Sequence, residues 1–594
     1  MVERGQVDWE PSGAPRSRRF QDVYCSREDG LAETKAVFLA GCGLPDAWRG
    51  RNHFVVGELG FGTGLNILAL LQLWRDSRPP GGRLHVFSVE AYPLSAGDAA
   101  RALAGWPELS DLAAPLLARW PTSGGFHRLE VPELGASIDV AIAEVAEALA
   151  AWNGEADAWF LDGFSPAKNP QMWRDEVLAL VAQRSAAGAR IATFSVAGAV
   201  RRGLQAQGFT VAKRPGFGAK GERLEAVLDR PRPSRSPSVR LQRVCIIGAG
   251  VAGAALARAF RAQGLLATVI DCAAPGAGAS GNPAALVTPR LDAGGGPLAQ
   301  LHAQAFEHAC AIYLDETENA VIARGALQLE AADRDARRFD RIAAGDLFED
   351  GAMQRLSAEE AGARLGEPAG AGGLWIREGL TVEPAAVLAA WLAESRLVTA
   401  FVEGLEPTAG AWRLIGPEGA LLAEADLVCI AAGFASRRLA PDLPLEPVRG
   451  QASIVERSDT PTAAAWGGYV IPTRTGLLFG ATHDRGDDSA EVRPGDQIRN
   501  LALLARRRPA LAAGVDIGEL AARAGVRAAA PDHAPLAGRI EAGLFVLGGL
   551  GGRGFTLAPL LAEHVVALAL GLPSPLPAPL ALRAAADRFS RHSA

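Results

Sequence analysis

Between Asn52 and Phe209 short apolar runs alternate with longer amphipathic ones. HFVVGEL is followed by ILALLQLW, then LHVFSVEAYP, DAWFLDGF, ARIATFS and VRRGLQAQGF. Runs of this length, rich in Val, Ile and Phe and bounded by glycine or acidic residues, predict strands that alternate with helices. That rhythm predicts a doubly wound α/β domain. Farther on, RVCIIGAGVAGAALARAFRAQGLLATVIDC reads as one β-α-β unit opening a second domain. The late run TLAPLLAEHVVALALGL is interrupted by Pro559, Glu563 and His564, so a buried helix is expected rather than a membrane span.

A boundary lies between the two patterns. DRPRPSRSPSVR, from Asp229 to Arg240, carries prolines that can continue neither a helix nor a central strand. The expected division is residues 1–230, a linker over 231–240, and 241–594. With 594 residues, one ordinary core would be too small, and 49% apolar residues suffice for several. The formal net charge of -6 does not announce a nucleic-acid binder, although a local basic patch remains compatible with it. Six scattered cysteines, with no CxxC pair and no zinc spacing, read as reduced thiols in a cytoplasmic protein without a metal. The charged N-terminus has no apolar segment of the signal-peptide kind.

Chemistry concentrates in two glycine loops. GELGFGTGLN places Glu58, Gly60, Gly62 and Gly64 at alternate positions and ends in Asn66. Alternating glycines permit a tight turn and close approach of a ligand. The spacing differs from the dinucleotide GxGxxG and suits a ligand without phosphates, such as S-adenosylmethionine; a ligand-free βα turn is the bland alternative. Glu90 ends the next strand, where it could accept from ribose hydroxyls. Asp162, in AWFLDGFSPAKNPQMW, ends a later strand at the edge where α/β sheets bind ligands. It is the candidate to orient, and to deprotonate, an amine facing a methyl donor, or else to cap its own loop. Phe164 and Trp173 could stack a base or simply pack.

The second loop, IIGAGVAG, has a true GxGxxG: Gly248, Gly250 and Gly253, with Ala249, Val251 and Ala252 between and beside them. Asp271 follows at the spacing of a ribose contact. The loop alone leaves FAD and NAD open. LFVLGGLGGRGFTLAP, a late strand entering another glycine turn and helix, favours FAD.

The segments DVYCSREDGLAETKAVFL, GELGFGTGLN, AWFLDGFSPAKNP and ATFSVAGAVRRGLQAQGF resemble the methyltransferase half of the bifunctional tRNA 5-methylaminomethyl-2-thiouridine biosynthesis family. GAGASGN, VRGQ, GGYVIPTRTGLLFGATHDRGD, GVRAAAPDHAPLAG and GGLGGRG resemble its oxidoreductase half, related to glycine and sarcosine oxidases. The resemblance implies a class I methyltransferase domain of Rossmann-like fold, then an FAD-binding Rossmann-type domain with an α+β substrate subdomain. It implies FAD and S-adenosylmethionine as cofactors, and the wobble uridine of tRNA as substrate. The flavin half would remove a carboxymethyl group from 5-carboxymethylaminomethyluridine, and the first half would methylate the amine so exposed. The implied flavin contacts extend to Ser280, Gly281, Asn282, Gly549, Gly551, Gly552, Arg553 and Gly554. Arg527 and Arg553 are implied to face the substrate carboxylate, with a structural ion pair as the alternative for each; Arg449 is implied to be structural or a flavin neighbour. Where the family has an acid that contacts adenine, this chain offers Glu144.

A basic stretch could rest against RNA: Arg201, Arg202, Lys213, Arg214, Lys220, Arg223, Arg230, Arg232, Arg235, Arg240 and Arg243. A solvated basic face is its alternative. The expected protein is monomeric. Competing functions are an amino-acid oxidase fused to a small-amine methyltransferase, and a tRNA-binding scaffold with vestigial sites.

Overall fold

The computed structural model describes residues 2–11, 13–26, 29–218, 221–230 and 242–589. The expected linker, 231–240, therefore lies outside the described residues. The chain forms two compact units, 1–239 with 573–578 and 240–572 with 579–594.

The first unit is built on one eight-stranded sheet. Its strands are β1 (His53–Leu59), β2 (Arg83–Glu90), β3 (Gly125–Val131), β4 (Ala136–Ile142), β5 (Ala156–Leu161), β6 (Ser185–Thr193), β7 (Phe209–Pro215) and β8 (Glu222–Leu228), in spatial order β3-β4-β2-β1-β5-β6-β8-β7. The core β4-β2-β1-β5-β6 is parallel, and antiparallel strands close both edges. From β1 the chain moves to β2 on one side and only later to β5 on the other. The crevice between those departures opens at the strands' carboxyl ends, where such sheets hold ligands. Helices on both faces make the strand interiors largely apolar: Phe54, Val56, Phe160 and Leu161 are all buried. Helix α1 (Leu65–Ser77) begins directly after the first glycine loop, with Ile67, Leu68, Leu70, Leu71 and Trp74 inward.

The second unit has three sheets. The nucleotide-type sheet comprises β9 (Val244–Ile247), β10 (Ala267–Asp271), β11 (Arg396–Thr399), β12 (Leu427–Ile430), β13 (Leu536–Glu541) and β14 (Leu544–Gly548), ordered β11-β10-β9-β12-β14-β13. Helix α2 (Val251–Ala262) follows the second glycine loop, and the late apolar run forms α3 (Gly554–Leu570). A small antiparallel sheet is formed by Gly404–Thr408, Ala411–Ile415 and Leu421–Ala425, and a ten-stranded sheet supplies the rest; its long strand Glu446–Glu456 pairs antiparallel with Ala521–Ala529, which carries Arg527. The least recognisable stretch, 333–373, contributes two helices and a strand, Met353–Leu356, on this sheet.

The polar residues that interrupt the late run are inside. Glu563 Oε1 accepts from Arg258 Nη1 of α2 at 2.7 Å and lies 2.9 Å from His308 Nε2, on the helix Pro297–Glu316. A buried charge is tolerated because it is paired. No helix among the described residues is long and apolar enough to cross a membrane.

Gly57, in the middle of β1, leaves room for an indole. A Cβ there would lie 2.3 Å from Trp159 Cε3, on the adjacent strand β5. Gly57→Ala is expected to cost roughly 1–3 kcal/mol by overpacking. A lower melting temperature, partly restored by Trp159→Phe in the same chain, checks this; an unshifted melt would refute it.

Two candidate active sites

The first glycine loop is held by backbone on both sides. Gly60 and Phe61 donate to Val89 O, at the end of β2, at 3.0 and 3.1 Å. On the other side a Cβ at Gly60 (φ +98°) would stand 2.8 Å from Asp162 O, at the end of β5. Only glycine fits that gap. Glu90 then locks the turn: its Oε2 accepts from Gly62 N at 3.0 Å and its Oε1 from Tyr92 N at 2.9 Å.

A cavity of about 540 Å³ opens above this loop. Five carboxylates line it (Asp22, Glu33, Glu90, Glu144 and Asp162), against two arginines, Arg19 and Arg174. Arg174 donates to Glu144 Oε1 at 2.8 Å, and Arg19 to Glu3. The lining suits a ligand carrying positive charge, as the sulfonium and ammonium of S-adenosylmethionine do, and suits an amine. Burial raises the Glu90 carboxyl above its ordinary value, opposed by the amides of Tyr92 and Gly62.

Asp162 is held from two directions. Its Oδ1 accepts from Gly163 N and its Oδ2 from Asn66 Nδ2, both at 2.8 Å. Asn66 Oδ1 in turn accepts from Thr34 Oγ1 at 2.7 Å. Thr34, Asn66 and Asp162 all line the cavity.

Several expected contacts fall elsewhere. Glu58 is fully buried beneath the loop, accepting from Ser88 Oγ at 2.6 Å, and does not line the cavity. Gly64 is also off the lining; it starts α1 and faces Leu116 and Trp120. Trp173 packs in the core and donates to Phe164 O at 3.0 Å, while Phe164 itself lines the cavity. Glu144 borders the cavity, but its Oε2 caps the helix Val145–Ala151 by accepting from Ala146 N. The N-terminal coil adds residues that no periodicity could mark. Phe20 stacks on Phe164 (4.8 Å between ring centres), and Tyr24 meets Phe164 edge-on at 5.0 Å. Asp22 anchors the Asp162 loop by accepting from Ser165 N and Lys168 Nζ.

The second loop repeats the arrangement. Gly248 N donates to Ile270 O, at the end of β10, at 2.8 Å. A Cβ on Gly248 (φ +111°) would lie 2.5 Å from Ala431 O, just past β12. Asp271 Oδ2 accepts from Ala249 N at 2.6 Å, and Oδ1 from Ala273 N at 3.0 Å. Gly253 has a packing role: a Cβ there would meet Gly248 O at 1.8 Å. Ser280 Oγ accepts from Val251 N at 3.0 Å.

Here the cavity is about 1040 Å³. Gly248, Gly250, Val251, Ala252, Asp271, Ser280, Asn282, Gly549, Gly551, Gly552, Arg553 and Gly554 line it; Ala249, Gly253 and Gly281 do not. A glycine-walled cleft of this size beside the N-terminus of α2 fits a dinucleotide such as FAD. Arg527 and Arg553 line the same cavity. Arg553 donates to Thr288 O and Oγ1 at 2.9 and 3.2 Å, Arg527 to Thr482 O at 3.3 Å. Neither forms an ion pair among the described residues. Burial, with Arg290 nearby, pushes Arg553 down to about 10, still a cation at neutral pH. Arg449 is wholly buried against Asp496, away from this cavity. Tyr469 and His483, not anticipated from the sequence, line the cavity near Arg527; burial and that cation lower the His483 imidazole.

Arg523 was not anticipated either. Its Nη2 donates to Gly276 O, Ala277 O and Gly278 O at 3.0, 2.8 and 2.5 Å, clamping the GAGASGN loop. Four residues of the basic stretch are paired: Lys213 with Glu222, Arg214 and Arg223 with Glu225, Arg243 with Asp426. Lys220, Arg232, Arg235 and Arg240 lie outside the described residues.

Two outcomes are expected from these contacts. Burial raises the Glu58 carboxyl from 4.5 to about 8, with Asp162 and Glu90 adding to the shift against hydrogen bonds from Ser88 and Asn66. The folded state therefore holds this proton more tightly than the unfolded one. Its contribution to stability is full below about pH 4.5 and is lost as pH rises through about 8, at up to about 1.4 kcal/mol per pH unit. Glu58→Gln should flatten that decline in urea melts at pH 5 to 8; an unchanged slope would exclude Glu58 as its source. Arg523→Ala should weaken FAD binding on the order of tenfold or more by freeing the loop it clamps. Flavin titration of the stripped protein measures this, and wild-type affinity would leave the clamp without a role.

Residues 243–568 match the family model described as FAD dependent oxidoreductase, and residues 107–229 that of an S-adenosyl-L-methionine-dependent methyltransferase. The chain is 57% identical over 592 residues to the tRNA 5-methylaminomethyl-2-thiouridine biosynthesis bifunctional protein MnmC of Caulobacter sp. (strain K31), covering 98% of this chain and 97% of that one. It is 56% identical over 582 residues to the protein of the same name from Caulobacter vibrioides, again covering 98% and 97%. Among solved structures, L-proline dehydrogenase from P. horikoshii matches with a TM-score of 0.50 at 18% identity, over 59% of this chain and 98% of that one, a likeness of fold alone. The chain belongs to the MnmC family of bifunctional tRNA-modifying enzymes, joining an S-adenosylmethionine-dependent methyltransferase to an FAD-dependent oxidoreductase.

Proposed function

We propose that the chain converts 5-carboxymethylaminomethyl-(2-thio)uridine at the tRNA wobble position to 5-methylaminomethyl-(2-thio)uridine in two steps, in the cytoplasm and as a monomer. The observation that carries this reading is the opposite character of the two cavities: one presents Arg527 and Arg553 without carboxylate partners among the described residues, the other is lined with carboxylates around Asp162.

In the second unit, Gly248, Gly250, Val251, Asp271, Ser280 and the turn 549–554 would hold FAD. When bound, the flavin supplies two-electron oxidation of an amine C–N bond. The chain's own part is to hold the substrate. Arg527 and Arg553 would grip the carboxylate of the N-substituted glycine, a planar two-pronged interaction that arginine suits. A neutral His483 beside Arg527 leaves room for an amine to lose its proton. Oxidation between nitrogen and the glycine carbon, followed by addition of water, releases glyoxylate and leaves a primary aminomethyl group.

That amine is the nucleophile of the second step. Gly60, Gly62, Asn66 and Glu90 would hold S-adenosylmethionine, with Glu144 toward the adenine end. Asp162 would accept an N–H of the amine and turn its lone pair toward the methyl carbon. The C–S bond of the sulfonium breaks as the N–C bond forms, and the amine's proton leaves. The wobble base must leave its stack to reach either cavity, and the aromatic wall of Phe20, Tyr24 and Phe164 offers it a stacking surface.

The test is nucleoside mass analysis of tRNA bearing carboxymethylaminomethyluridine after incubation with the flavin-loaded protein. Loss of the carboxymethyl group without S-adenosylmethionine, and gain of a methyl with it, are expected. Asp162→Ala should slow methylation on the order of a hundredfold and let aminomethyluridine accumulate. Arg553→Ala should leave the carboxymethyl nucleoside in place while supplied aminomethyl tRNA is still methylated. Unchanged tRNA, with turnover of free secondary amines instead, would replace this reading by the small-molecule oxidase.

A further inference from the structure

Three segments far apart in sequence meet at one carboxylate in the first cavity. Thr34 lies on the short helix Gly30–Thr34, Asn66 at the start of α1, and Asp162 at the end of β5. Thr34 is 3% exposed and Asn66 8%, so their polar groups must find partners inside the protein. A threonine hydroxyl within a helix ordinarily turns back to a carbonyl of its own preceding turn. That of Thr34 instead donates to Asn66 Oδ1 at 2.7 Å, and Asn66 Nδ2 donates to Asp162 Oδ2 at 2.8 Å.

The direction of this chain is set by chemistry. An ionised carboxylate only accepts, so the amide must turn its NH2 toward Asp162. Were the amide reversed, Asn66 Oδ1 would face Asp162 Oδ2, oxygen against oxygen. With the amide so turned, Thr34 Oγ1 supplies the donor that Asn66 Oδ1 needs. Gly163 N on Oδ1 and Asn66 Nδ2 on Oδ2 together fix the plane of the Asp162 carboxylate.

We propose that Thr34 and Asn66 form a positioning relay that holds the Asp162 carboxylate in the orientation that receives the substrate amine. This rests on the reading of Asp162 as the amine-orienting group and adds Thr34, which touches neither amine nor methyl donor in that scheme. The DGLAETKAVFL stretch thereby acquires a role, because its helix supplies the hydroxyl at the far end of the relay. Methyl transfer needs the nitrogen lone pair in line with the breaking C–S bond, so a carboxylate free to rotate costs rate rather than binding.

The experiment uses the full chain and tRNA carrying aminomethyluridine. Thr34→Val, nearly isosteric, is expected to lower kcat for methylation on the order of tenfold. KM for S-adenosylmethionine should stay within about twofold, since the methyl donor keeps Gly60, Gly62 and Glu90, and Asn66 loses only its bond from Thr34. Thr34→Ser, which restores a hydroxyl, should recover most of the rate, and oxidation of the carboxymethyl substrate should continue in both. Thr34→Ala serves if the valine variant does not fold. Wild-type kcat in the variants lacking the hydroxyl, a serine variant as slow as they are, or a loss confined to KM would overturn the relay. Asp162→Ala, run in parallel, separates the two readings. If it is slow while Thr34→Val is fast, the relay fails and the role of Asp162 stands; if it methylates at the wild-type rate, the role of Asp162 fails and the relay with it.

Discussion

The structure depends on one steric constraint, met twice: the turn after the first strand of each parallel sheet must pass against the backbone of the strand on its far side. In the first unit the gap between Gly60 and Asp162 O admits no Cβ; in the second, Gly248 against Ala431 O admits none. The same turns donate to the end of the second strand, at Val89 O and Ile270 O. Caught between two strand ends, each turn has no freedom to collapse into the crevice, and backbone can face a ligand closely. An alanine at either glycine would push the turn away from its neighbour, and everything placed by that turn would move with it.

The carboxylate that ends the second strand completes each turn by the same two contacts. Glu90 accepts from Gly62 N and Tyr92 N, Asp271 from Ala249 N and Ala273 N. One bond reaches across to the glycine turn; the other caps the acid's own following loop. An acid at this point is therefore part of the scaffold before it is part of a binding site, which explains why one ends the second strand in both units although their glycines are differently spaced.

Those features were legible because they follow from short-range geometry. Periodicity located β1, β2, β5, β9 and β10, and a glycine loop after an apolar strand implies an acid at the next strand end. Glu58 shows the limit. It sits in an acid-x-Gly pattern at a strand end, yet the central strand of a parallel sheet is covered on both faces, and position along it does not tell cavity from core. Gly253 and Gly64 show it again: the motif marks where glycine is required, not whether ligand or protein makes the demand. Phe20, Asp22 and Tyr24 come from a coil without periodicity, and Arg523 reaches its loop from a strand far along the chain. Contacts of that range leave no trace in local pattern.

Charge then divides the labour between the sites. The nucleoside enters the scheme with a carboxylate and leaves the first reaction with an amine, so its reacting end changes sign. The cavity that would meet the carboxylate is lined by Arg438, Arg527 and Arg553, none of them paired with a carboxylate among the described residues, against Asp271 and Asp488. The cavity that would meet the amine has five carboxylates in its lining, and its two arginines are both paired with acids. An amine next to Asp162 gains from that field, whereas a carboxymethylamine would bring a like charge beside Asp162 and Glu90, which in a partly buried site costs far more than in water. The field in each cavity favours the form of the substrate on which it acts. In the proposed scheme electrostatics within each unit favours that order of the two reactions, without any requirement that the intermediate pass directly from one to the other.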